Sequence, residues 1–178
     1  MKLKKMIVCI TKSDIRNFLK LQNKINISDI FINDDLRLLG SVNILGMNVN
    51  IEAELSFSKV ECNNIYINIK SFKVLKMNIV NPISKKVFNY VINAFTDIEG
   101  VTFEENDFKL EVTTLINKYY KEQKFIDLNK VQVIDVSIVD KEVEVYFGGI
   151  DIDTEVIRRE YGKNEVPYVE AEIVSDGE

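Results

Sequence analysis

Carboxylate side chains occur in three short clusters, and these residues have the type and spacing best suited to chemistry. The clusters are Asp34 with Asp35, Glu104 with Glu105 and Asp107, and Asp151 with Asp153. Paired carboxylates can exchange protons in acid–base catalysis or hold Ca²⁺ or Mg²⁺. Each cluster falls in a predicted turn or strand end, where solvated acids are usual, and none has the spacing of a calcium-binding loop. The pattern favours solvated acids, and an enzyme that uses them is a third-ranked hypothesis.

The chain contains no histidine, which removes the commonest general base, the commonest partner of a nucleophilic serine or cysteine, and the commonest transition-metal ligand. Its two cysteines, Cys9 and Cys62, are too few for a disulfide framework or a zinc site, and we interpret them as buried or incidental thiols. Gly148-Gly149 lacks the glycine spacing of a phosphate-binding loop, so a backbone kink is the better interpretation. We therefore predict a protein that is not an enzyme and has neither a metal nor a cofactor.

The net charge of −5 is concentrated at one end of the chain. From residue 151 to the end there are nine acidic and three basic side chains, which leaves +1 over residues 1–150. A nearly neutral body has no basic field to hold a phosphate backbone, so we expect no nucleic-acid partner. The periodic pattern predicts a single α+β domain over residues 1–153, followed by an acidic, partly flexible tail over residues 154–178.

No segment reaches the roughly 18 to 20 consecutive apolar residues that a transmembrane helix needs. The basic start of the chain leads into an apolar stretch, Met6–Ile10, that ends sooner than the core of a secretion signal usually does. No small-residue cleavage site follows it. We interpret this stretch as the first strand of a cytoplasmic protein.

Apolar and polar side chains alternate over an unusual length, from Val42 to Phe57. An alternation of period two indicates an extended strand with one face in the core and the other in solvent. The alternation changes parity at Leu45-Gly46, which predicts a β-bulge within one long strand. Similar changes at Ser28-Asp29, Ser71 and Val74-Leu75 predict further bends. We therefore expect long, mostly antiparallel strands in a strongly bent sheet.

The main helix is predicted over Pro82–Phe95. Proline suits the first helical position, and apolar residues recur after it at helical spacing over more than half of the circumference. So wide an apolar surface favours a helix that a sheet wraps around, with a helix packed on a flat sheet as an equally favoured alternative. Two short helices are predicted as well, one capped by Thr11 and one over Thr113–Gln123. The predicted fold is thus a strongly bent sheet around a central helix.

This layout resembles the tubular lipid-binding superfamily. The segments that carry the resemblance are LGSVNILGMNVNIEAELSFSKVECNNIYINIKSFKV, the helix PISKKVFNYVINAF and the return strands VTFEENDFKLEV, within a region from about Ile25 to Val145. The resemblance is architectural and includes no short diagnostic motif. It implies a bent antiparallel sheet that wraps a long helix and shelters acyl chains.

The leading functional hypothesis is non-enzymatic binding of a hydrophobic small molecule, above all a lipid, between the concave sheet and the Pro82–Phe95 helix. Ligand sites of this kind are mostly apolar and leave no sequence motif. The alternative is a structural or scaffolding module that self-associates or binds a protein partner through an exposed sheet edge. For each residue assigned to the site, a packed core without ligand is an equally good interpretation. The assigned lining residues are Leu55, Phe57, Ile67, Ile69, Phe88, Val91, Ile92 and Phe95.

Overall fold

The computed structural model describes residues 2–75, 81–119 and 131–151, and the structural statements below refer to these ranges. They contain nine strands and three helices. In chain order these are β1 (Lys2–Ile10), α1 (Lys12–Leu19), β2 (Ile25–Ile32), β3 (Leu36–Ile44), β4 (Met47–Glu61), β5 (Asn64–Leu75), α2 (Asn81–Thr96), β6 (Val101–Glu104), β7 (Asp107–Glu111), α3 (Val112–Tyr119), β8 (Gln132–Val139) and β9 (Glu142–Asp151).

The strands form two antiparallel sheets. The larger has the order β2-β3-β4-β5-β7-β6, and the smaller has the order β1-β9-β8. Over the described strands neither sheet closes, so β2 and β6 are edges of the larger sheet and β1 and β8 are edges of the smaller. The predicted α+β class, with mostly antiparallel strands and three helices, is confirmed, and the strands divide between two sheets where one was expected.

Helix α1 begins at the predicted cap. The Thr11 hydroxyl accepts a hydrogen bond from the backbone N–H of Asp14, and the Asp14 carboxylate accepts one from the backbone N–H of Thr11 at 2.9 Å. This reciprocal capping box satisfies two donors that the first turn of the helix leaves without partners. The Thr11 hydroxyl also donates a hydrogen bond to the Asp14 carboxylate at 2.6 Å, and this bond, together with the one from the Thr11 N–H, holds the pKa of Asp14 below its usual value.

Two predicted bends are present in the larger sheet. Between β2 and β3 the pairing shifts from Ile27 to Asp29, so that Ser28 is an extra residue in its strand. Between β4 and β5 it shifts at Lys70, next to the predicted position Ser71. Each extra residue puts the apolar side chains before and after it on the same face. These two parity changes in the sequence therefore correspond to real bulges.

The predicted bulge at Leu45-Gly46 is wrong. These residues form the tight turn between β3 and β4, with φ values of +54° and +79°, and Ile44 pairs with Met47 across it. Two central residues with positive φ are the mark of a type I′ hairpin turn. A parity change is equally compatible with a bulge and with a two-residue turn, which explains the error. The long strand predicted over Val42–Phe57 is thus the end of β3 and most of β4.

The bend predicted at Val74-Leu75 is also wrong, because β5 pairs with β4 without a shift from Ser71 to Leu75. Two bulges that the sequence analysis did not predict are present instead. Ser58 is an extra residue in β4, and Ile134 is one in β8. The predicted helix Thr113–Gln123 begins one residue earlier, at Val112, and its end lies outside the described residues.

Three apolar clusters make up the core. The first joins the two sheets and α1, and the other two join α2 to opposite halves of the larger sheet. The first cluster contains Leu19, Ile30, Ile32, Leu36, Leu38, Ile65, Val131, Val133, Val143, Val145 and Phe147. The second contains Ile25, Val42, Val49, Ile51, Val87, Val91 and Ala94, and the third contains Ile92, Ile98, Val101 and Phe108.

Candidate apolar ligand site

The eight residues assigned to a ligand site all lie in or against the three apolar clusters of the core. Leu55 and Phe57 come from β4, Ile67 and Ile69 come from β5, and the other four come from α2. The third cluster brings Ile67, Ile69, Phe88, Ile92 and Phe95 together, while Leu55 and Phe57 pack against the first and Val91 belongs to the second.

Bulges in the two central strands set the apolar face of the site. Leu55 pairs with Ile69 and Ala53 with Phe72, so the extra residue Lys70 keeps Ile69 and Phe72 on one face. The extra residue Ser58 does the same in β4 for Phe57 and the next apolar residue, Val60. Without these insertions, half of each long strand would turn its apolar side chains to the other face of the sheet.

The four residues of α2 form a stripe with helical spacing, from Phe88 through Val91 and Ile92 to Phe95. Val91 and Ile92 are 5% and 9% exposed, whereas Phe88 and Phe95 are half-buried. Phe95 packs against all three clusters. It therefore marks the point where α2, the larger sheet and the layer between the sheets meet.

Phenylalanine rings extend the site beyond the assigned residues. Phe88 lies edge-on to Phe72 and to Phe103, with ring centroids 5.2 and 6.3 Å apart. Phe108 contacts Phe103 at 5.0 Å and Phe95 at 5.7 Å. Edge-to-face contacts at these distances are favourable. Sequence reasoning placed Phe72, Phe103 and Phe108 in strands but not at the site, because the pairing of β5 with β7 was not visible in any local pattern.

Six of the eight assigned residues are half-buried, and four of these are on the central strands β4 and β5. Side chains on the core face of a central strand are usually covered completely when a helix and a second sheet lie above them. Here the coverage of these side chains is incomplete. The region is therefore an apolar surface with partial access to solvent.

The acidic clusters do not converge on this surface. Asp107 accepts hydrogen bonds from Ser58 Oγ at 2.8 Å and from Asn68 Nδ2 at 2.6 Å, and Asp35 pairs with Lys70 at 2.5 Å. The hydrogen bond that Lys70 donates to the Asp35 carboxylate raises the pKa of Lys70. In the part of the chain that the structure describes, no group of three or more acidic or cysteine side chains is arranged to hold a metal ion. Asp153 lies outside the described residues.

The remaining sequence-based predictions concern the thiols, the two glycines and the membrane. Cys9 in β1 and Cys62 in the β4–β5 turn are both exposed, so the thiols are not buried. Strand β9 continues through Gly148 and Gly149, the latter with a φ of +66°. Among the described helices none is long and apolar enough to cross a membrane.

Comparison with known proteins gives no relative for this arrangement. No protein-family model matches the chain, and neither a curated protein nor a solved structure matches it. The functional argument therefore depends on the sequence and the geometry of the chain itself.

Proposed function

We propose that this protein binds a hydrophobic ligand, a lipid acyl chain, between α2 and the concave face of the larger sheet, without catalysing a reaction. The observation that carries the proposal is the half-buried apolar surface of β4, β5 and α2 around Phe95. In this proposal the larger sheet wraps around α2, and the bulges at Ser28, Ser58 and Lys70 supply the bend, because a bulge increases local twist.

The chemistry of the surface favours an acyl chain over a polar metabolite. All eight lining side chains are aliphatic or aromatic, and none offers a hydrogen bond or a charge. A polar ligand would lose its hydrogen bonds to water there without replacement, at a cost of about 1–3 kcal/mol for each group. An acyl chain has no such cost and gains about 0.8 kcal/mol for each buried methylene. This is also what the resemblance to the tubular lipid-binding superfamily implies.

The proposal is tested by native mass spectrometry of the purified protein. We expect adducts with the masses of lipids in the wild type, and strongly reduced adducts in Ile69→Trp, where a half-buried lining residue is replaced by a larger one. Ile138→Trp is the matched control, because Ile138 is also half-buried but lies in β8, away from α2. A wild type without adducts, or equal loss in both variants, would contradict lipid binding at this site.

A second candidate function is self-association through the β1 edge. The other three sheet edges are short or irregular, since β6 has only four residues and β2 and β8 each contain a bulge. Strand β1 has nine residues and pairs with β9 without a register shift. Val8 faces the core opposite Val145, yet it is 37% exposed. A long, regular, partly uncovered edge is suited to pairing with another strand.

Light scattering over a range of protein concentrations distinguishes this candidate. If β1 pairs with a second copy, the wild type forms a dimer and Val8→Lys is a monomer, because a lysine that points inwards at an edge opposes strand addition. A wild type that stays monomeric at every concentration excludes self-association through this edge.

A further inference from the structure

The turn between β3 and β4 carries a leucine that the fold does not explain. Leu45 is 88% exposed, the most exposed large apolar side chain among the described residues, and it belongs to none of the three clusters. Its φ of +54° lies in the left-handed region, which costs a residue with a Cβ atom about 1–2 kcal/mol. Asparagine, aspartate and glycine are the usual residues at this position of a type I′ turn.

The other tight turns of the described chain also contain residues other than glycine with positive φ. These are Cys62, Asn63, Glu105, Asp140 and Lys141, and none of them is a large apolar residue. Leu45 packs in none of the three clusters, so no packing offsets the free-energy cost of its backbone conformation. Leu45 is thus the one large apolar residue with positive φ among the described residues, and its exposed side chain indicates a role outside the fold.

Further apolar side chains are exposed at the same end of the molecule. Met47, directly after the turn, is 44% exposed. Val87 of α2 belongs to the second cluster together with Val42 and Val49, which pair with each other three residues before Leu45 and two residues after Met47. Ile83, in the first turn of α2, is 38% exposed and precedes Val87 of the second cluster by one helical turn. We call Leu45, Met47 and Ile83 the apolar tip.

The charged side chains of α2 have one sign, and the turn itself is uncharged. Residues 38–51 contain no charged side chain at all. Within α2 the only charged residues are Lys85 and Lys86, which are exposed and form no ion pair with the described residues. Apolar side chains beside unpaired lysines are the combination that binds the interface of an anionic membrane, where apolar groups enter the acyl boundary and lysines remain at the headgroups.

We propose that the apolar tip docks on the surface of an anionic lipid bilayer. Leu45, Met47 and Ile83 enter the interface, and Lys85 and Lys86 contact the phosphates of the headgroups. The charge of the tip selects a bilayer over a second copy of the chain, because two copies docked tip to tip would bring their lysines together. This docking goes beyond the binding of a ligand around Phe95 and does not depend on it.

Sedimentation with lipid vesicles tests the docking. We expect the full chain to bind phosphatidylcholine vesicles that contain phosphatidylglycerol and to bind pure phosphatidylcholine more weakly. Leu45→Asn should weaken binding about tenfold, because a leucine side chain no longer enters the interface. Lys85→Glu with Lys86→Glu should weaken binding to anionic vesicles at least about tenfold and have little effect on neutral ones.

The choice of asparagine separates docking from folding. Asparagine suits positive φ better than leucine does, so Leu45→Asn should be at least as stable as the wild type while it binds vesicles more weakly. The matched control is Ile134→Asn, which removes a 57% exposed isoleucine from the β8 bulge and should leave vesicle binding unchanged.

Absence of vesicle binding in the wild type, or equal binding by the wild type and Leu45→Asn, would overturn the docking proposal. Loss of self-association in Leu45→Asn without loss of vesicle binding would assign the tip to a second copy and overturn it as well. Failure of the ligand proposal is distinguishable, since it is measured by co-purified lipid and not by vesicles.

Discussion

The two ends of β4 are joined to the same kind of turn, but the two turns differ in their contacts with the rest of the protein. At one end Leu45-Gly46 leads into the strand, and at the other Cys62-Asn63 leads out of it, with positive φ at all four residues. Asn63 suits that conformation and is tied to the rest of the molecule. Leu45 stands at the first central position, which Cys62 occupies in the other turn, and it packs in none of the described clusters. The two turns therefore share a backbone geometry and differ in what their side chains contact.

The contacts of Asn63 show what a structural turn looks like. Its side-chain oxygen accepts a hydrogen bond from the backbone N–H of Val133 at 2.9 Å, and its backbone oxygen accepts one from the N–H of Val112 at 3.2 Å. One residue thus joins the β4–β5 turn to the start of α3 and to β8. We call this end of β4 the anchored end, in contrast to the apolar tip.

The largest expected effect is at the anchored end. Asn63→Ala should lower the free energy of unfolding by about 2 kcal/mol, since the Val133 N–H loses its acceptor and alanine is disfavoured at positive φ. Urea denaturation measures the change. Asn63→Gly is the control, because it permits the backbone conformation and removes only the side-chain bond, so its loss should be smaller. Equal stability of Asn63→Ala and the wild type would show that the hydrogen bond between the Asn63 side chain and the Val133 N–H does not stabilise the anchored end.

A smaller loss is expected from the carboxylate that supports the bulge near the same end. Asp107 accepts hydrogen bonds from Ser58, the extra residue of β4, and from Asn68. Asp107→Ala should cost about 1 kcal/mol, because hydrogen bonds to a charged group are lost at a partly exposed site. Glu104→Ala, in the same hairpin but exposed, should change the free energy of unfolding by less than about 0.5 kcal/mol. Equal effects of the two substitutions would remove any structural role for the Asp107 carboxylate.

The sequence predicted the elements of this fold better than their connections. Alternation and helical spacing located the helices and most of the strands, and parity changes located the bulges at Ser28 and Lys70. These patterns are local, so they can be recognised in the sequence without knowledge of the fold. The pairing of β1 with β9 joins residues more than 130 positions apart, and no local pattern specifies such a partner.

The residues proposed for the site came from the apolar stripe of α2 and the alternation in β4 and β5. All eight lie in or against the core clusters, and their contact with a ligand stays a prediction. The contacts of Phe103 and Phe108 with Phe88 and Phe95 depend on how β7 and β6 extend the sheet, which is a tertiary property. The turn at Leu45 was misjudged for a related reason, since leucine is not a residue that indicates a type I′ turn.

At the apolar tip the expected change in stability is small and favourable. Leu45→Asn should raise the free energy of unfolding by about 0.5 kcal/mol, because asparagine adopts positive φ more readily and no packing is lost. Urea denaturation of the wild type, Leu45→Asn and Asn63→Ala measures the change in the free energy of unfolding at both ends of β4. A loss of stability in Leu45→Asn would mean that the leucine packs against the protein, and the contrast between the two turns would fail.

The smallest expected effect is a pH dependence of stability. We expect it at the β2 bulge and not at the apolar tip. A hydrogen bond from Lys12 at 2.7 Å, with one from the Ile30 N–H, lowers the pKa of Asp29. A carboxyl whose pKa is lower in the folded state stabilises the protein above its unfolded pKa of about 3.9, and this contribution disappears as the pH falls through the folded value. The difference in stability between the wild type and Asp29→Asn should therefore shrink between pH 7 and pH 2.5, and added salt should reduce it at pH 7 because the pair is exposed.

Residues 38–51 contain no ionisable side chain, so the effect of Leu45→Asn should be the same at both pH values. A pH-dependent effect of Leu45→Asn would mean that a titrating group contacts the turn, and the tip could then no longer be treated as an apolar surface beside lysines alone.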